Sequence, residues 1–328
     1  MDNKDREVTV EDRKDIIDEK ELDGEIKENN HSIFAEDYTE LEDLEMEANI
    51  ISRNKQRKKN NKIINLCSIF MCVVSVAMVF LIYSLVMDYI QIYKNKKLNE
   101  DALALYNSIQ QPVKETNMPA EENKRVNKEE KVEELLKGVL PDINILRESF
   151  GNDEIIGFLQ IEDSRVNYPV VQHGDNIYYL DKDIKKDYNV AGSIFMDYEN
   201  LEQGYDQNTV LYGHNMRDLS MFGELKYYKD QEYYEEHPLI KLQIEDELFL
   251  YEVFSAFRTS TDFDYVQTNF PSDEEYMDQI NKYYEKSFIK TGVKVAKEDK
   301  ILTLSTCVGV RATSRMVVAG RLINNVEY

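Results

Sequence analysis

Residues 300–323 read KILTLSTCVGVRATSRMVVAGRLI, and two strands are legible in them. Ile301 and Thr303 alternate with Leu302 and Leu304, so 300–306 has the two-residue period of a strand. A second apolar run, 316–323, follows a short loop and is expected to return antiparallel beside it. Cys307 then stands just past the end of the first strand, and Arg315 immediately before the second. That hairpin would bring both residues to one end of a sheet, where side chains are usually presented to a cleft.

The same texture extends upstream. Short apolar or alternating runs separated by turn residues recur at 155–161, 166–171, 193–196, 209–212, 239–244 and 247–259. Eight strands in under two hundred residues, with one or two convincing helices, predict a mainly β barrel or sandwich. One helix interrupts the pattern late. Ser272 and Glu275 form a capping box, and Tyr276, Ile280, Tyr283, Tyr284 and Phe288 follow at helical spacing. It is expected to pack its aromatic face on the sheet.

Charge divides the remainder of the 328 residues. The chain holds 63 acidic against 40 basic residues, a net of -23, which argues against a surface built to neutralise phosphates and so against nucleic-acid binding. Residues 1–52 carry 19 acidic and 6 basic groups, residues 53–62 carry six basic groups and no acid, and residues 63–87 carry no charge. At about 1.5 Å per residue those 25 uncharged, mostly apolar positions can cross a hydrocarbon core of about 30 Å. The reading is an acidic cytoplasmic tail ending in a basic cluster over 1–62, a transmembrane helix over 63–87, a polar extracellular stalk over 88–140 and a globular domain over 141–328. A helix over 121–140 is expected to lead into that domain. The basic flank sets the N-terminus in the cytoplasm by the positive-inside tendency.

Of three cysteines, Cys67 and Cys72 fall inside the apolar segment, leaving Cys307 as the one thiol outside it. It has no intrachain partner there, so it is inert and buried, paired with another chain, or nucleophilic. A nucleophilic thiol needs a proton-transfer partner, usually His. His173 and His237 sit in turns and read as surface residues; His214 follows the 209–212 strand across Gly213, so its imidazole emerges at a strand end as Cys307 does. Arg315 can stabilise a developing oxyanion with fixed donors, and Arg311, in the loop, is the runner-up.

The block Thr303-Leu304-Ser305-Thr306-Cys307, with Arg315 before Met316-Val317-Val318-Ala319-Gly320, resembles the signature of the sortases, with Ser in the class B place. The block from Asn208 through His214 to Met216, the run Ser220 to Leu225, and Asn167 to Gln172 are also similar to class B. The resemblance covers about 142–328. It implies an eight-stranded sortase-type β-barrel with a few helices, one of them, at 272–288, before the Cys strand. It implies a membrane-anchored cysteine transpeptidase whose partners are surface proteins bearing a C-terminal sorting motif and a cell-wall peptide amine, or a pilin Lys. Cys307 would form a thioester with the motif's Thr, His214 would move protons, and Arg315 would hold the motif and oxyanion. Thr306, Ser305, Asn215 and Tyr284 are expected substrate contacts, and neither a metal nor a cofactor is expected. The spacing of eight from Cys307 to Arg315 is shorter than the class B pattern, and Gly309 stands where some members carry an acid. A papain-like peptidase is disfavoured by order, because there Cys precedes His and caps a helix. A tethered binding module would need none of His214, Arg315 or the Ser-Thr-Cys setting.

Overall fold

Each of the eight alternating runs forms a strand, and the strands close on one another. The computed structural model describes residues 30–109, 132, 135, 140–201, 204–260, 262–307 and 314–327, with side chains from 44 onward except at 307 and 324–327. The strands are β1 Ile155–Gln160, β2 Asn167–Gln172, β3 Ile194–Met196, β4 Asn208–Gly213, β5 Leu239–Ile244, β6 Glu247–Ser260, β7 Ile301–Cys307 and β8 Ser314–Glu327. They run β1-β2-β3-β4-β7-β8-β6-β5 around a closed barrel, sealed by antiparallel pairing of β5 with β1. A barrel therefore replaces the barrel-or-sandwich alternative, and closure leaves no sheet edge unpaired among the described strands.

The two-residue period explains the layers. Leu302, Leu304, Met316 and Val318 point inward with Leu159, Val170, Leu211, Leu242 and Phe249, forming the barrel core. The opposite faces of β6, β7 and β8 present Phe254, Phe257, Ile301, Val317 and Ala319 to an outer apolar layer. That layer is completed by α4, Asp273–Lys286, whose Tyr276, Gln279, Ile280 and Tyr283 are buried at helical spacing. The Ser272 hydroxyl caps α4 by accepting from the Glu275 N–H at 3.2 Å, as the capping box predicts. Because β7 is covered on both sides, its hydroxyls must find partners inside the protein. Thr303 Oγ1 donates to Asn208 Oδ1 at 2.8 Å, and Ser305 Oγ meets the Tyr265 hydroxyl at 2.8 Å.

Four short helical pieces among the described residues were not expected: α2, Ile143–Phe150, α3, Gln231–Glu236, and 3-10 stretches at Tyr178–Leu180 and Gly223–Lys229. Each is about two turns or less, too short to show a hydrophobic period. Leu146, Leu225, Tyr228 and Tyr234 nevertheless go inward. His237, expected at the surface, is buried instead, stacked on Tyr233 with ring centroids 4.1 Å apart and Nδ1 2.9 Å from the Tyr233 carbonyl. His173 is half-buried, stacked on Tyr178, with Nδ1 3.0 Å from Glu154 Oε1.

The long helix α1, Asn30–Ile109, runs through two units, Met1–Leu81 and Ile82–Tyr328. It contains a segment long and apolar enough to cross a membrane. Leu66, Phe70, Val79 and Leu85 there are exposed. Within the second unit, α1 does not behave as a stalk. Ala102 and Tyr106 are fully buried in a cluster with Leu146, Phe158 and Val171; Tyr106 stacks on Phe158 at 4.1 Å and donates to Gln243 Oε1 at 2.7 Å. Asn95, Asn99, Ala102 and Tyr106 fall on one helical face, so a polar-looking sequence hides a packing surface. The helix expected over 121–140 lies almost wholly outside the described residues.

Candidate active site

Strand register assembles the site. β4 and β7 are parallel, pairing Tyr212 with Ser305 and Gly213 with Thr306. His214, one step beyond β4, is therefore beside position 307, and the antiparallel β7–β8 pair sets Arg315 opposite Cys307. Arg315 is flanked on its other side by Thr259 of β6. Three adjacent strand ends thus bring backbone positions 214, 307 and 315 to one end of the barrel.

Local chemistry holds the His end in place. Gly213 sits against Ile194 and Phe222, where a Cβ would lie 2.4 Å from Ile194 Cδ1 and 2.9 Å from the Phe222 ring. The chain then loops out and comes back: Phe222 N–H donates to the His214 carbonyl at 2.9 Å, and Asn215 bridges to Met221. Met221 N–H in turn donates to the Tyr168 hydroxyl at 2.8 Å. His214 is half-buried, and its Nε2 lies 2.7 Å from the Leu180 carbonyl. A carbonyl only accepts, so Nε2 carries a proton in this contact and Nδ1 is the nitrogen left to take one. Beneath, Tyr212 donates to Asp197 Oδ2 at 2.7 Å; burial and that carboxylate push its phenol far up, so it serves as a neutral support. Arg315 is half-buried, with Nη1 3.3 Å from the Ser314 carbonyl.

The expected substrate contacts divide. Asn215 is half-buried next to His214, as its position requires. Ser305 and Thr306 are at the site but 1% and 2% exposed; the two-sided cover of β7 makes them supports, with the Ser305 hydroxyl committed to Tyr265. Tyr284 is not brought there. Its hydroxyl donates to the Val293 carbonyl and accepts from Val295 N–H, and its ring meets Phe254, beside the Gly320–Leu302 pair. Five residues of strand, about 16 Å, separate Leu302 from Cys307. Arg311 lies outside the described residues. The Leu180 carbonyl and the Tyr265 hydroxyl were not anticipated: the first is a backbone group and has no residue signature, and the second lies 40 positions from the serine it meets.

Comparisons with known proteins identify the family of the barrel. The family model for the sortase domain matches residues 159–323. Sortase B of Listeria monocytogenes is 38% identical over 174 residues, 52% of this chain and 71% of that protein. Among solved structures, a Bacillus anthracis protein described as similar to sortase B superposes with a TM-score of 0.57 at 38% identity, covering 70% of this chain and 96% of that one. A Staphylococcus aureus sortase B–substrate complex gives 0.58 at 28% identity, covering 72% and 99%.

Proposed function

This chain belongs to the sortase family, class B, whose members are cysteine transpeptidases, and from that premise we propose that it cleaves a C-terminal sorting motif after Thr and passes the acyl group to a cell-wall amine. The observation that supports the residue roles is the register just described, with His214 and Arg315 flanking position 307 on adjacent strands.

In the first half-reaction the Cys307 sulfur, as thiolate, attacks the Thr carbonyl carbon. A C–S bond forms and the carbonyl π pair moves to oxygen. Arg315 donates hydrogen bonds to that oxyanion from a guanidinium that stays charged near neutral pH. Collapse breaks the C–N bond, and His214 gives its proton to the departing amine. The thioester then meets an incoming amine: a C–N bond forms, the C–S bond breaks, and His214 receives the amine's proton. Nδ1 suits that acceptance, because the Leu180 carbonyl occupies Nε2–H. The S. aureus relative forms a complex with its substrate, which supports a substrate-binding role for this domain.

The same reading places the acidic tail and basic cluster in the cytoplasm, the 63–87 segment across the membrane and the barrel outside. The central test is capture of the thioester. Incubation with sorting-motif peptides should add the acyl mass to the wild-type chain and release the motif's tail, and Cys307→Ala should do neither while keeping the barrel's near-UV circular dichroism. Turnover by Cys307→Ala would remove the thiol from the mechanism.

A further inference from the structure

The carbonyl that holds His214 is itself held from α1. Leu180 closes a 3-10 turn, Tyr178–Leu180, in the long connection between β2 and β3. That turn is braced from behind by residues 189–193. Ser193 N–H donates to the Tyr179 carbonyl at 3.1 Å. Gly192, at φ +59, comes so close that a Cβ there would lie 2.6 Å from the Tyr179 oxygen and 2.7 Å from the Leu180 oxygen. Only a residue without a side chain fits that approach and that φ.

Residues 189–193 are tied in turn to α1. Asn95 Nδ2 donates to the Gly192 carbonyl at 3.0 Å, and Asn189 Nδ2 donates to the Gln91 carbonyl at 2.9 Å. Asn99 Nδ2 donates to Asn95 Oδ1 at 2.9 Å, which orients the Asn95 amide so that its own NH2 faces Gly192. Asn95, Asn99 and Asn189 are 2%, 7% and 2% exposed. Asn is a poor helix former and a buried amide stabilises little unless every group is paired. Two of them one turn apart on the packed face of a helix, Asn95 bonding a loop carbonyl and Asn99 bonding Asn95, make a specific strut where Leu or Ala would supply plain packing.

We propose that Asn95 is a positioning residue for His214. Through Gly192 and Leu180 it sets the orientation and the Nε2–H tautomer of the imidazole, so that the helix which carries the apolar segment is also part of the catalytic apparatus. The inference rests on His214 being the proton-transfer residue. It assigns α1 a role that a passive tether would not have.

The test uses the full chain in lipid nanodiscs. Asn95→Asp keeps the shape and removes the donor; Asn189→Asp does the same at the second tie, and Gly192→Ala pushes on the turn from the other side. Each should lower kcat for peptide cleavage by about 10-fold to 10²-fold, the cost of a small misplacement of a reacting group, with KM within about twofold. The ¹⁵N–¹H signature of His214 should change from Nε2–H alone to a mixture of tautomers. If His214→Ala retains wild-type turnover, the underlying role of His214 is wrong. If His214→Ala is inactive while folded Asn95→Asp and Asn189→Asp keep both wild-type kcat and the unchanged imidazole signature, the strut has no part in positioning. Should either variant fail to fold, the other and Gly192→Ala carry the same two readouts.

Discussion

Removing one oxygen beneath β7 should be costly in a defined way. Tyr265→Phe deletes the hydroxyl that lies 2.8 Å from Ser305 Oγ and leaves the ring in its apolar layer. Both residues are buried, at 5% and 1% exposure, so water does not replace the lost partner. The Tyr265 carbonyl keeps its bonds from Tyr283 and Asn208, which confines the perturbation to the side chain. Leaving a buried hydroxyl unpaired costs about 1–3 kcal/mol, and each kcal/mol lowers the midpoint of a barrel this size by about 2–4 °C. Ser305→Ala removes the same bond from the other side, and the double variant should be less destabilised than the sum of the two, by about 1 kcal/mol, because the Ser305 hydroxyl stranded by Tyr265→Phe is gone. Urea unfolding of the four proteins followed by near-UV circular dichroism closes the cycle; the 22 tyrosines and absence of tryptophan make tyrosine the signal. Strict additivity, with coupling under about 0.3 kcal/mol, would refute the claim that this pair supports β7.

His214→Ala should suppress peptide cleavage and amine transfer alike, by about 10² to 10⁴-fold, read by mass of both products. Arg315→Lys should stay severely impaired because charge survives but the fork of donors does not, whereas Arg311→Lys should be mild; the reverse ranking in a cleavage assay would move the oxyanion role to Arg311. Burial alone would raise the Glu154 carboxyl, but hydrogen bonds from Tyr179, His173 and Lys186 outweigh it and hold it below the ordinary range. A depressed carboxylate stabilises the fold at neutral pH and loses that contribution as pH falls through its folded value, so the stability of Glu154→Gln should fall less steeply in acid than wild type in melts stepped downward from neutral pH. Protease added to intact cells should remove the barrel and spare the N-terminal tail; a protected barrel would invert the topology.

Much of the barrel was readable because strand alternation survives burial on one or both faces: all eight runs became strands, and the Ser272–Glu275 capping box located α4 to within a residue or two. His214 and Cys307 were legible as strand-end residues for the same reason. What escaped were contacts with no periodic signature. Lys96, Lys97 and Glu100 made the start of the expected stalk look solvated, yet they are the outward face of a helix whose inward face is Asn95, Asn99, Ala102 and Tyr106. The position of Tyr284, near Val293 and Phe254, was not legible because helical spacing reports which face is aromatic and says nothing of where along a strand that face lands. Leu180 acts through a backbone oxygen, which any residue would supply.

The parallel pairing of β4 with β7 has a consequence for how the protein matures. His214 and Cys307 lie 93 positions apart, and a parallel partner cannot be reached by a tight turn, so β5, β6 and α4 are threaded between the two strands before they meet. Such long-range pairings bear the largest loop-closure cost and form slowly. A chain emerging N-terminus first holds its imidazole long before its thiol exists, and a nascent chain that has just gained the thiol still has to seat that strand between β4 and β8. On the proposed reading, the thiol meets its imidazole only once that strand is seated.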